Sequence, residues 1–122
     1  MNLVDPTPPR DELIDNTDRG RFELHRAGEL SGWLYYSHLN PNRYALQHTE
    51  VEPRHQHQGV GAAMVRRVLD EIRARGGTVT AICPFVAEYL SRTTQDADLI
   101  DPRHPGYADR AAAEAAVAPA RE

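Results

Sequence analysis

Residues 48–61 read His48-Thr49-Glu50-Val51-Glu52-Pro53-Arg54-His55-Gln56-His57-Gln58-Gly59-Val60-Gly61, and an amphipathic helical pattern begins at Val60. A strand therefore feeds a Gln-x-x-Gly-x-Gly turn that opens straight into a helix. The first amides of a helix have no intrahelical acceptor, and the helix dipole places positive charge at the same end. Such a point suits a phosphate or pyrophosphate. Gly59 and Gly61 carry no β-carbon, so a ligand can approach the backbone closely there. Gln56 and Gln58 add neutral donors, and Arg54, His55 and His57 stand near as candidate cations. The competing reading is a tight strand-to-helix connection that binds nothing.

The flanking pattern sets the architecture. Residues 21–26 alternate polar and apolar side chains, as a half-buried strand does. Residues 27–32 carry turn chemistry and residues 33–39 are aromatic-rich, which predicts a hairpin. Asn40-Pro41-Asn42 marks a second turn, and residues 43–51 form a third strand that Pro53 stops. Three consecutive antiparallel strands are the economical arrangement. Apolar residues then recur at Val60, Met64, Val65, Val68, Leu69 and Ile72, one stripe of a helix ended by Gly76-Gly77. Residues 78–83 make a short β-branched fourth strand, parallel to the third because a crossover helix joins them. Pro84 opens a closing helix through about Arg92, with Phe85, Val86, Tyr89 and Leu90 at helical spacing. Leu99-Ile100 is a candidate edge segment, and residues 108–118 a frayed helix. The fold class is α/β (α+β): a mixed sheet of about four strands, a crossover helix and a closing helix. Residues 1–17 show no apolar period and hold Pro6, Pro8 and Pro9, so they read as a flexible segment before a core of residues 18–102. Residues 103–122, polar then Ala-rich, read as a flexible or frayed-helical tail.

Composition narrows the function. The net charge of −4 gives no dominant basic face, which argues against nucleic acid. All fourteen cationic residues are arginine, so Schiff-base and P-loop lysines are excluded. The single cysteine, Cys83, permits no internal disulfide and fits a reducing compartment. No apolar run reaches membrane-spanning length, and the N-terminus has no signal-peptide core. The expectation is a cytoplasmic protein with no membrane partner; oligomeric state is open. Trp33, Tyr35 and Tyr36 suit core and cross-strand pairs better than a base-stacking surface, given no basic groove.

The strand, Gln-x-x-Gly-x-Gly turn, helix and following strand resemble the acetyl-CoA-binding core of the GNAT superfamily of N-acetyltransferases. More narrowly, His48-Thr49-Glu50-Val51, Gln58-Gly59-Val60-Gly61 and Cys83-Pro84-Phe85-Val86 resemble its short "N-acetyltransferase domain-containing" branch. The likeness covers residues 18–101. It implies acetyl-CoA as acetyl donor and an amine acceptor of unidentified kind. It also implies that the third and fourth strands splay apart around the pantetheine arm. Thr49, Glu50 and Val51 would then bond the pantetheine amides. Gln56, His57, Gln58, Gly59, Val60, Gly61 and Ala62 would hold the pyrophosphate, with the thioester near Cys83 and the acceptor arriving from the opposite side.

Catalysis calls for a base for the amine and a proton donor for the leaving thiolate. Glu50 and His48 alternate onto one face of the third strand, Thr49 and Val51 onto the other, unless a bulge changes the facing. Either of the first pair is a candidate base, or a solvated polar pair. Cys83 is a candidate nucleophile, a residue lining the thioester, or a small core side chain; a thiol needs a nearby cation or helix dipole to react at neutral pH. Aligning residues 84–92 with the family's last helix puts Ser91 where larger relatives carry a tyrosine, with Tyr89 two residues earlier. Residues 93–96 read Thr-Thr-Gln-Asp where the short branch often has His-Pro-Glu-Tyr; a similar His104-Pro105-Gly106-Tyr107 comes later, outside the expected core. His48, His55 and His57 lack the Cys or carboxylate spacing of a familiar zinc site, so no metal is expected. The alternative function is a CoA or acyl-CoA binding module with little or no activity.

Overall fold

A computed structural model describes residues 10–117. Its sheet has five strands in sequence order: β1 (Asp11–Asn16), β2 (Arg21–Arg26), β3 (Glu29–Leu39), β4 (Arg43–Val51) and β5 (Thr78–Ala81). The first four pair antiparallel. β5 runs parallel to β4, from Arg43 opposite Thr78 to Leu46 opposite Ala81. Helix α1 (Val60–Ala74) makes the crossover, α2 (Pro84–Ser91) follows β5, and α3 (Arg110–Val117) closes the described chain.

The β2–β3 hairpin turns on Ala27 and Gly28, whose φ of 52° and 83° match the strand twist, so β3 begins earlier than its aromatic run suggests. The apolar stripe of α1 is buried at all six expected positions and packs on Phe22, Leu24, Leu34, Leu46 and Val79. Gly76, at φ 71°, ends the helix, and the Gly77 amide donates to the Ile72 carbonyl at 3.0 Å.

Three segments depart from the sequence reading. Residues 11–16 are an edge strand, not part of a flexible segment. Leu13 and Asp15 face the helices, where Asp15 accepts a 2.6 Å hydrogen bond from the Tyr36 hydroxyl. β5 ends at Ala81, not Cys83. The amides of Ile82 and Cys83 both donate to the Leu46 carbonyl, at 3.0 and 2.8 Å, so the ladder closes there. Residues 103–117 are built into the fold. Ile100 and Gly106 bridge to Val79 and Ala81, and the Tyr107 amide donates to the Ala81 carbonyl at 2.7 Å. Gly106 has φ 80°, and a β-carbon there would collide with the Ala81 backbone. α3 then packs on α2 through the fully buried Ala113. Residues 1–9 and 118–122, also expected to be flexible, lie outside the described residues.

Candidate functional site

The β3–β4 register slips by one residue at Gln47: Tyr35 faces His48 but Tyr36 faces Leu46. This bulge swaps the sides of β4. Tyr44 and Leu46 point into the core before it; Thr49 and Val51 point to the same side after it. His48 and Glu50 lie on the opposite, helix-free face with Trp33 and Tyr35. Because β5 stops pairing at Leu46, the edge of β4 beyond it has no strand partner among the described residues. The two parallel strands part there.

The turn into α1 closes one end of that opening. After a 3₁₀ turn at Pro53–His55, His57 and Gly59 take left-handed φ of 64° and 75°, and Gly59 caps α1 without a side-chain hydrogen bond. The first backbone bond into the helix is Ala63 N–H to the Gly59 carbonyl at 3.0 Å, which leaves the amides of Val60, Gly61 and Ala62 without helical acceptors. The glycines serve different ends. Gly59 has open space around a β-carbon and is required by its φ. A β-carbon on Gly61 would lie 2.9 Å from the Phe85 ring.

Thr49, Val51, His55, Gln56, His57, Gly59, Val60, Gly61, Ala62, Phe85 and Arg110 line a cleft of about 560 Å³. Eight of the ten residues expected to hold the coenzyme therefore stand around one space; Glu50, on the far face of β4, is not among them. Nor is Gln58: its carbonyl accepts from Arg26 at 3.2 Å and its side chain donates to the Arg54 carbonyl at 3.4 Å, which fastens the turn to β2. Gln56 likewise spends its amide on the Val51 carbonyl, at 3.4 Å. Phe85 and Arg110 were missed. Phe85 reads from sequence as a core position of the closing helix, and Arg110 lies in the stretch read as a tail. A second cleft, of about 610 Å³, between β1 and α1 is walled by Arg10, Asp11, Glu12, Arg67, Asp70 and Glu71 and has no helix terminus in it.

The candidate catalytic residues fall on two sides of the sheet. Cys83, 3% exposed, lies behind the cleft at the start of α2, its sulfur 3.4 Å from the Thr49 hydroxyl. His48 and Glu50 are exposed on the far face, Nε2 to Oε2 3.0 Å. Beside them Arg21 stacks over Trp33, 4.8 Å from its ring centre, and pairs with Glu23 at 2.8 Å. Burial opposes the charge on Glu23, but hydrogen bonds from His25, Arg21 and Asn16 outweigh it and lower its pKa to about 2. Ser91 donates to the Glu88 carbonyl of its own helix at 2.7 Å, and Tyr89 lines a small groove with Ala62 and Phe85. His48, His55 and His57 do not converge: His55 stands 3.3 Å from Glu29, and among the described residues no three His, Cys, Asp or Glu side chains group to hold a metal. No described helix is long and apolar enough to cross a membrane.

The family profile of GCN5-related N-acetyltransferases matches residues 21–99. Among solved structures the chain is similar to the ribosomal-protein-S18-alanine N-acetyltransferase of Escherichia coli, at 26% identity and TM-score 0.45, over 50% of this chain and 39% of that one. It is similar to Ard1 from Thermoplasma volcanium at 21% identity and TM-score 0.43, over 51% and 43% of the two chains. It is also similar to nourseothricin acetyltransferase at 21% identity and TM-score 0.41, over 62% and 59%. The match thus spans well under half the length of the first of these proteins. No curated protein sequence matches the chain.

Proposed function

The chain belongs to the GCN5-related N-acetyltransferase family, and on that premise we propose that it transfers an acetyl group from acetyl-CoA to an amine. The observation that carries this reading is the continuity of the cleft: free amides at the α1 N-terminus run into the unpartnered edge of β4. The residues fit the coenzyme. The amides of Val60, Gly61 and Ala62, with the helix dipole, suit a diphosphate; the β4 edge from Thr49 to Val51 suits the pantetheine amides as an added strand would. When bound, acetyl-CoA supplies an activated acyl thioester. On the far face Glu50 accepts the proton of the incoming amine, and His48, 3.0 Å away, passes it to solvent; as the C–N bond forms the thioester C–S bond breaks, and CoA leaves as a thiolate that takes its proton from solvent. Cys83 is buried behind the cleft and hydrogen-bonded to Thr49, so it backs the wall that Thr49 forms, and transfer to the amine is direct.

Acetyl-CoA should raise the melting temperature, because a ligand of the folded state stabilises it by mass action, and some member of a panel of amines should release free thiol. A melting curve unmoved by millimolar CoA removes the reading altogether. Stabilisation with no thiol release from any amine leaves a coenzyme-binding module in its place.

A further inference from the structure

Arg110 lies beyond the residues that match the family, yet its side chain borders the cleft beside His57, Gly59, Gly61 and Phe85. Two carboxylates hold it. Its Nε donates to Glu88 of α2, and its Nη1 donates to Glu114, one turn along α3, at 3.2 Å. Its Nη2 has no hydrogen-bond partner among the described residues. Glu88 is shared, since it also accepts from Arg92 at 2.5 Å. The helix that carries Arg110 is seated by buried Ala113 and started by Asp109, whose carboxylate accepts the Ala112 amide at 2.9 Å. A guanidinium is thus fixed at the rim of a cleft whose inner wall offers unpaired amides. Planar guanidinium matches phosphate oxygens through paired N–H groups, and a side chain already held in place loses little entropy on binding.

We propose that Arg110, supplied by the C-terminal helix, is a coenzyme-binding residue that pairs with a phosphate group of CoA lodged at the α1 N-terminus. This rests on the coenzyme reading above and adds that α3 is a wall of the site. The carboxylate clamp has a second effect. Glu88 and Glu114 offset the charge of Arg110 while the cleft is empty, so the phosphate gains a positioned partner without a strongly basic surface.

Calorimetric titration with CoA of the wild type, Arg110→Gln and Arg110→Lys, at low and high salt, tests this. The Gln variant should bind about 10- to 100-fold more weakly, the loss of a charge-assisted hydrogen bond. The Lys variant should recover most of that loss, and the gap should narrow as salt screens the charge. Wild type that binds CoA, with a Gln variant that binds it equally, overturns the role of Arg110 and leaves the coenzyme reading standing. Wild type that does not bind CoA removes the coenzyme reading, and Arg110 with it. If Gln and Lys weaken binding alike at every salt, with lowered melting temperatures, α3 has merely come loose, and the phosphate contact is refuted.

Discussion

Asp96 is the buried carboxylate on which the loop between α2 and the β5 edge depends. Its side chain is 1% exposed and accepts three guanidinium hydrogen bonds: two from Arg66, both 2.8 Å, and one from Arg73 at 3.2 Å. Removing one partner of a buried ion pair usually costs about 3–5 kcal/mol because a charge is left uncompensated. Here both arginines keep another carboxylate, Asp70 at 2.8 Å and Asp98 at 2.5 Å, so the loss is smaller. Asp96→Asn removes the charge from three bonds and turns an NH₂ group toward a guanidinium, which should cost about 2–3 kcal/mol. For a domain of this size that lowers the melting temperature by about 10–20 °C. The hydrogen bonds from Arg66, working against burial, hold the Asp96 pKa below the ordinary aspartate value. A carboxyl depressed in the folded state contributes stability above its unfolded pKa and loses it as the pH falls through the folded value. Urea unfolding from neutral pH downward should therefore show the full gap between wild type and Asp96→Asn near neutrality, closing below about pH 4. The control Asp98→Asn, at an exposed carboxylate, should leave the midpoint in place. A neutral-pH gap under about 1 kcal/mol, or one that does not close in acid, refutes the charge-based account.

The two glycines of the turn should separate. Gly61→Ala pushes on the Phe85 ring from 2.9 Å and should weaken CoA binding by about 10-fold or more, whereas Gly59→Ala, with nothing within 4 Å, should cost about 1–2 kcal/mol of stability through its left-handed φ; equal effects on binding would refute the division. Gly106→Ala drives a β-carbon into the Ala81 backbone at a φ of 80° and should lower stability by about 3 kcal/mol in urea titration; an unchanged midpoint would show that residues 100–107 do not depend on this contact. Cys83→Ala should cost about 1 kcal/mol and keep acetyl transfer, and intact-mass analysis of the wild type after incubation with acetyl-CoA should find no acetylated thiol. An adduct at Cys83 would refute direct transfer.

What the chain reveals by pattern is what local periodicity controls. Val60 through Ile72 repeat as a helix must, and all six positions are buried; strand–helix–strand order alone makes β5 parallel to β4. β1 escaped because Asp11-Glu12-Leu13-Ile14-Asp15-Asn16 is an edge strand whose helix-facing side, Asp11, Leu13 and Asp15, carries a single apolar residue. Its pairing energy lies in backbone bonds to β2, which leave no mark on composition. The C-terminal segment escaped for a related reason: an Ala-rich helix looks too poor in apolar area to dock, yet Ala113 is buried because a small side chain lets α3 approach α2 closely. Phe85 and Arg110 meet the glycine turn across 24 and 49 residues of chain, counted from Gly61. No local pattern encodes that meeting.

The opening between β4 and β5 follows from two chain-level constraints acting at Leu46. On one side the bulge at Gln47 rotates β4 out of phase with its earlier course. On the other, Pro84 has no amide to donate, so a β5 that reached it would lose its ladder bond there; the strand instead turns off, and the last two amides before Pro84 share the Leu46 carbonyl. Thr49 and Val51 are then left with side chains on the α1 side and backbone groups along an edge that no strand of this sheet completes. An extended molecule bearing amides restores those bonds, and one that ends in phosphate also satisfies the α1 terminus at the far end. The same rules that stop the sheet thus leave the opening that the proposed coenzyme would fill. A substitution that let β5 continue past Ala81 would close the cleft without touching any residue that lines it.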